Sequence, residues 1–414
     1  MFLHPGLYTE TFFIIGGCGK LTGMRILTVD IGTGTQDIYL YNSDLDMENN
    51  FKLVVPSPTM MMREKIRQAT RRGEAILLTG VIMGGGPNTW ATEAHLQAGL
   101  KVFATPEAAR TFNDDLDAVR EMGVEIVSED EAERLSRAVR RLRFRDFNFP
   151  AINEAFKTFG VILDKLDGVA VGVFDHGYAP VGISDRAFRF NYLDRRIRQE
   201  NRLSAFAYRS ENVPGIMTRL QAVVDSAQQL NSPLVVMDTA PAAVLGALLD
   251  RKVTSRERVL IANVGNFHTL AFRMGPGGIE GLFEHHTGLI DAGKLDSLLR
   301  RLALGTIRGE EVFNDQGHGA LMYDSTSLAL GEGDFDVVIT GPRRNLFHSP
   351  HDKANQSYLR AYFPAPFGDM MISGCFGLLT ATADVMPELA GPIRASLYHE
   401  AGKGVAPWDT DRAS

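Results

Sequence analysis

The sequence predicts an α/β protein built from two domains of one kind, and three observations predict it. At 414 residues the chain is long for a single hydrophobic core. It opens on strand, turn and strand and then alternates helices with strands, which is the order of a mixed sheet with an antiparallel beginning. After Asp250 that opening returns in "RVLIANVGNFHTLAFRM", a separation too long for a solenoid and suited to a duplicated domain.

The elements follow in order. "RILTVD" is a strand ending at Asp30, "GTGT" a turn, and Ile38 to Tyr41 a second strand; Phe51 to Val55 is extended and closed by "PSP". A helix is expected over Met60 to Arg72, then the buried-type strand "AILLTGVIM", the loop "GGGPN" and a helix from Trp90 to Gly99. "LKVFAT" reads as a strand, Pro106 starts a helix running to about Met122, and "VEIV" is a short strand. Asp130 to Arg145 reads as one helix rich in arginine (Arg134, Arg137, Arg140, Arg141, Arg143, Arg145), either a solvated face or a surface for an anionic ligand or a partner. "DGVAVGVFDHG" is a buried strand ending in a polar cluster, and a helical region with "DRRIRQENR" leads to "PLVVMDTAPAAVLGALLD". The hairpin after Asp250 continues into a third strand at Gly278 to Phe283.

The totals exclude some classes of function. A formal charge of −7 argues against an electrostatic nucleic-acid binder, which needs a Lys/Arg excess. Two cysteines, Cys18 and Cys375, are too few for a disulfide framework or a cysteine-held cluster and suit a reducing cytoplasm. No apolar run reaches the roughly 20 residues that span a bilayer, and "TFFIIGG" lacks the flanks of a signal peptide. Met24 stands directly before the first strand, so residues 1–23 are expected to be a loose tail or a misassigned start.

Each Gly/Thr-rich turn can offer backbone N–H groups and hydroxyls to phosphate oxygens, and a carboxylate at the end of the first strand, Asp30, can hold a hydrated Mg²⁺. One such turn is equally well a structural hairpin; two of them can face each other across a cleft. With these residues the chain resembles the sugar kinase/Hsp70/actin superfamily of two-domain ATPases. The resemblance rests on five elements in order, covering Met24 to about Ala383: "LTVDIGTGTQDIYLY", "VVMDTAPAAVLGALLD", "VLIANVGNFHTLAF", "FDVVITGPRRNLF" and "GDMMISGCFGLLTATA". It implies the actin-like ATPase fold, two ribonuclease H-like domains with a nucleotide cleft between them. ATP and Mg²⁺ are the implied cofactors. Asp30 would organise the metal; Gly32, Thr33, Gly34, Thr35 and Gln36 would form one phosphate loop and Gly265, Asn266 and Thr269 the other; Gly341, Pro342 and Arg343 would border the adenosine. Residues 24–250 and 251–368 are the expected domains, with a connecting helix and tail over 369–414. Small residues Ala242, Ala243, Gly246, Ser373, Gly374 and Gly377 imply close helix packing at the hinge.

The opening together with "VFDHG" and "VGISDR" also resembles an uncharacterised prokaryotic family carrying the label of a pyruvate formate-lyase activating enzyme. That label implies radical chemistry on a [4Fe-4S] cluster held by CxxxCxxC, which this chain lacks. Two departures from the superfamily bear on catalysis: Asn263 stands where an acid usually opens the second phosphate loop, and Thr239 where an acid often stands, with Asp238 one residue earlier. Asp238 and Asp175 are the candidate bases. The expected function is ATPase or small-molecule kinase, with water or an unknown acceptor near Asp175 and the "GGG" loop, or else a nucleotide-dependent regulator of a partner protein. Cys375 reads as a packed thiol. His285 and His286, like Asp175 and His176, are neighbours that face opposite ways on a continuing strand. "HSPH" at His348 to His351 has tolerable metal spacing and is expected to be a surface loop.

Overall fold

The computed structural model describes residues 23–180, 182–347 and 359–398. Cys18 and the "HSPH" stretch lie outside the described residues.

β1 (Arg25–Ile31), β2 (Thr35–Asn42) and β3 (Phe51–Pro56) form an antiparallel meander in which Asp30 pairs with Asp37 and Ile31 with Gln36. Ser57 starts the following helix, Pro58–Arg72, by accepting from Met60 N at 3.1 Å, and proline at the first helical position needs no donor there. The chain then leaves this sheet. β4 (Ile76–Gly80), β5 (Val102–Ala104), β6 (Glu125–Ile126) and β7 (Arg140–Phe144) make their own parallel sheet in the order β6-β5-β4-β7.

β8 (Gly168–Val173) returns to the first sheet and pairs parallel to β1, and β9 (Ala207–Arg209) and β10 (Leu234–Asp238) complete the order β3-β2-β1-β8-β10-β9. The reason is burial: "GVAVGV" is buried at all six positions and can sit between two strands with both faces covered, whereas β7 carries exposed Arg141 and Arg143 and fits only an edge.

β11 (Val259–Val264), β12 (His268–Gly275), β13 (Gly278–His286), β14 (Gly319–Met322), β15 (Val337–Thr340) and β16 (Ala361–Tyr362) form the second large sheet, ordered β14-β13-β12-β11-β15-β16. Again a three-strand meander is followed by parallel strands on the far side of the first strand. With the edge strands β9 and β14 set aside, the remaining five strands of each sheet, numbered in chain order, run 3-2-1-4-5, the ribonuclease H-like arrangement. Two such sheets in one chain are the actin-like fold. The largest core cluster runs through both, from Val29 and Val171 to Ile261 and Phe272.

Two expected helices differ. Pro106 to Met122 breaks into Pro106–Ala109 and Leu116–Glu121, because Asn113 and Asp115 turn their side chains onto the amides of Asp115 and Asp117 and outcompete the helical ladder. Asp130 to Arg145 is helical only within Glu129–Arg134; from Arg140 the order is Arg, Arg, Leu, Arg, Phe with Leu142 and Phe144 buried, a period of two rather than 3.6.

Among the described residues no helix is long and apolar enough to cross a membrane.

Candidate functional site

The turns of the two meanders meet. A methyl group added at Gly34 would stand 2.9 Å from Asn266 Nδ2, so the β1–β2 and β11–β12 turns touch only because one of them lacks a side chain. The first turn is held from behind: Ser57 Oγ donates to Thr33 O at 2.5 Å and Ser57 N to Gly34 O at 3.1 Å, which leaves the front of the loop open. Between the turns lies a cavity of about 160 Å³. Its walls include Asp30, Gly32, Thr33, Gly34 and Thr35 from one side and Asn263, Gly265, Asn266, Gly341 and Pro342 from the other. Gly341, at φ +96, turns the chain there against Val264 O, where a Cβ would come within 2.5 Å.

Asp30 sits at the base of this cavity and accepts the hydroxyl of Thr239, the first residue of the helix Thr239–Ala247. A Cβ on Gly374 would lie 1.8 Å from Asp30 Oδ2, so the helix Ser373–Val385 approaches this carboxylate as closely as a glycine allows. Burial is the main cause that pushes the Asp30 carboxyl up to about 6, with the charge of Asp238 adding. Asp37, also in the wall, is pushed up to about 8 by burial and by Asp30 and Asp369.

The two candidate bases are engaged elsewhere. Asp175, past the end of β8, accepts Gly177 N and Leu220 N, each at 2.8 Å, one on each oxygen. Asp238 accepts Ala240 N at 3.1 Å on one oxygen and Arg189 at 2.8 Å on the other. Burial raises both carboxyls, with Arg189 pulling Asp238 back in part.

Arg189, on the helix Asp185–Gln199, joins the two sheets. Its guanidinium reaches Asp238 of β10 at 2.8 Å and Glu284 of β13 at 2.6 Å, and all three residues are buried. Burial pushes the Glu284 carboxyl up, but Arg189, His318 and His268 outweigh it and hold it well below the ordinary carboxylate range. The same guanidinium lies 4.1 Å over the ring of Phe174, which stacks on His268 at 4.2 Å.

A second cavity, about 320 Å³, adjoins the first and shares Thr33, Phe174, Arg219, Phe267 and His268 in its wall. The triglycine loop Gly84–Gly86, Asp175 and His176 also line it. Because β8 stops at Val173, Asp175 and His176 are not bound by strand alternation. His285, in contrast, is buried within β13, near Asp315 O at 3.0 Å. Cys375 is free and buried, its thiol 3.1 Å from Asp37 O.

Of the residues singled out in the sequence, Asp30, Gly32, Thr33, Gly34, Thr35, Gly265, Asn266, Gly341 and Pro342 come together around the first cavity. Gln36 turns away and donates to Pro56 O at 3.2 Å, Thr269 is buried against Thr287, and Arg343 is exposed while Arg344 takes the wall position. Missed by sequence reasoning were Asp37, whose signal was its place two residues after Thr35 on the same strand face, and Arg189, Glu284 and His318, which carry no local pattern.

The family model described as "Putative pyruvate format-lyase activating enzyme (DUF1786)" matches residues 83–346. No curated protein matches. Among solved structures, the ROK hexokinase from Thermus thermophilus is 12% identical, covers 62% of this chain and 47% of its own, with a TM-score of 0.23. The apo psk41 ParM protein is 13% identical over 89% of this chain and 100% of its own, at 0.29. A ROK family transcriptional regulator, a homologue of E. coli MLC protein, is 9% identical over 62% and 38%, at 0.24. The chain thus spans about half or less of the first solved structures it matches. It is the paired 3-2-1-4-5 strand order that shows the fold.

Proposed function

The chain belongs to the DUF1786 family, and from the geometry of the cleft we propose that it binds ATP with Mg²⁺ between its two hairpin turns and passes the γ-phosphate to a small acceptor or to water. The observation that carries this reading is the meeting of two glycine turns, one per sheet, over a buried carboxylate at the end of β1. Gly32 N and Gly265 N close the two turns onto Thr35 O and His268 O, and the amides of Thr33 and Gly34 in one turn and of Asn266 in the other suit phosphate oxygens. Asp30 is the residue that would hold Mg²⁺, whose chemistry there is neutralisation of phosphate charge. At about 160 Å³ the first cavity is smaller than the roughly 300–1,000 Å³ of typical ligand pockets, so the jaws must part to admit a nucleotide. Arg344, Gly341 and Pro342 would border its base and ribose. The adjoining cavity would take the acceptor, since the two share Thr33, Phe174, Arg219, Phe267 and His268. Radical chemistry of the kind the family description names finds no support in a chain with two cysteines.

A second reading, a regulator that closes on ATP with little turnover, is favoured by one observation: Asn263 replaces an acid in the cavity wall, and both oxygens of Asp175 and of Asp238 are already bonded. Calorimetry with Mg²⁺-ATP and a single-turnover assay separate the two. Wild type is expected to bind, with Asp30→Asn weakening the Mg²⁺-dependent affinity by at least about tenfold. Phosphate release that needs an added metabolite supports transfer, and tight binding without release supports the regulator. Absence of nucleotide binding in both measurements overturns both readings.

A further inference from the structure

Beside the cleft, His176, His268 and His318 present one ring nitrogen each within 4.8 Å of one another. They come from three separate elements: the segment after β8, the start of β12 and the residue before β14. The rings crowd together, with His268 to His318 centroids 5.0 Å apart and His176 to His318 5.6 Å. Glu284 Oε1 points at the group, 3.0 Å from His268 Nδ1 and 3.6 Å from His318 Nδ1. Both nitrogens of His318, the Nδ1 of His268 and the Oε1 of Glu284 are buried and make no hydrogen bond. Leaving a buried polar atom unpaired costs about 1–3 kcal/mol, and His318, with Glu284 on its Nδ1 side, has an Nε2 that lacks any partner among the described residues.

We propose that His176, His268 and His318 form a binding site for a divalent transition metal of the Zn²⁺ class, with Glu284 oriented behind two of the ligands. Three imidazoles with an open fourth position are a donor set that Zn²⁺, Co²⁺ or Fe²⁺ accepts and that Mg²⁺ does not favour. A tetrahedral ion with bonds of about 2.0–2.1 Å spaces its nitrogens by roughly 3.4 Å, which small ring rotations reach from the present separation. Burial holds His318 down at about 3 and His176 well below the ordinary imidazole range, so both rings are neutral and offer a lone pair. Glu284, its other oxygen fixed by Arg189, is placed to accept from the Nδ1 side and so leave Nε2 to the ion, the usual carboxylate–histidine–metal relay. His176 and His268 line the second cavity, so the open position faces it and takes an oxygen donor: water, a carboxylate or a phosphate.

The site does not depend on the cleft binding nucleotide, and its test uses none. Tag-free full-length protein, stripped with chelator and titrated with Co²⁺, should develop visible d–d absorption saturating at one ion per chain. Zn²⁺ should displace the ion and Mg²⁺ should not, and bound Zn²⁺ should raise the thermal midpoint. His318→Ala and, separately, His176→Asn should each lower Co²⁺ affinity by at least about 100-fold. Circular dichroism checks that each variant folds; if His318→Ala does not, the partly exposed His176→Asn carries the test. Lack of Co²⁺ absorption in wild type, or absorption retained at full affinity in the folded variants, overturns the proposal.

Discussion

Asp37 is a half-buried acid with one buried oxygen unpartnered and a neighbouring carboxylate in register with it across the β1–β2 pair. Its carboxyl, at about 8, and that of Asp30, at about 6, both stand above the ordinary value near 3.8, so the native state holds their protons more tightly than the unfolded chain does. Their contribution to stability is therefore complete below pH 4 and lost as pH rises through 6 and then 8. Asp37→Asn should leave the thermal midpoint near wild type at or below pH 4 and raise stability by at least about 2 kcal/mol at pH 9, read from thermal unfolding across that range. A wild-type profile without decline above pH 6 would contradict this. The sequence displayed Asp30 because it ends a strand before a glycine turn, but Asp37 looked like one polar residue in an apolar strand. Its environment comes from Asp369 and the Ser373–Val385 helix, which are brought up from the far end of the chain.

The helices Thr239–Ala247 and Ser373–Val385 cross where each has a glycine. A Cβ on Gly246 would lie 1.7 Å from Ser373 O, and one on Gly377 would lie 1.8 Å from Ala242 O. Alanine is the better helix former by about 1 kcal/mol, yet here Gly377→Ala must push two backbones apart, and a net loss of about 1–3 kcal/mol is expected in denaturant unfolding. The helices were legible as runs of small residues, and the hairpins as apolar strands about Gly and Asn turns. β7 was not, because six arginines masked the alternation of Leu142 and Phe144. The histidine cluster was illegible for a different reason: His176, His268 and His318 belong to elements far apart in the chain, and no spacing rule links them, while the spaced "HSPH" stretch lies outside the described residues.

At the scale of the molecule, Arg189 is the charged link between the sheets, pairing with Asp238 of the first and Glu284 of the second. Arg189→Met should cost about 3–5 kcal/mol, because it leaves two buried carboxylates without the guanidinium that neutralises them, and adding Asp238→Asn and Glu284→Gln should restore much of that loss. Chemical denaturation of the single and triple variants checks both statements; a triple variant no more stable than the single would assign the cost to packing instead.

Thr33, Phe174, Arg219, Phe267 and His268 line both cavities. Whatever swings Phe267 or His268 therefore changes the outline of both chambers at once. A ligand seated against those side chains in one chamber would thereby set the outline of the other, with both sheets left in place.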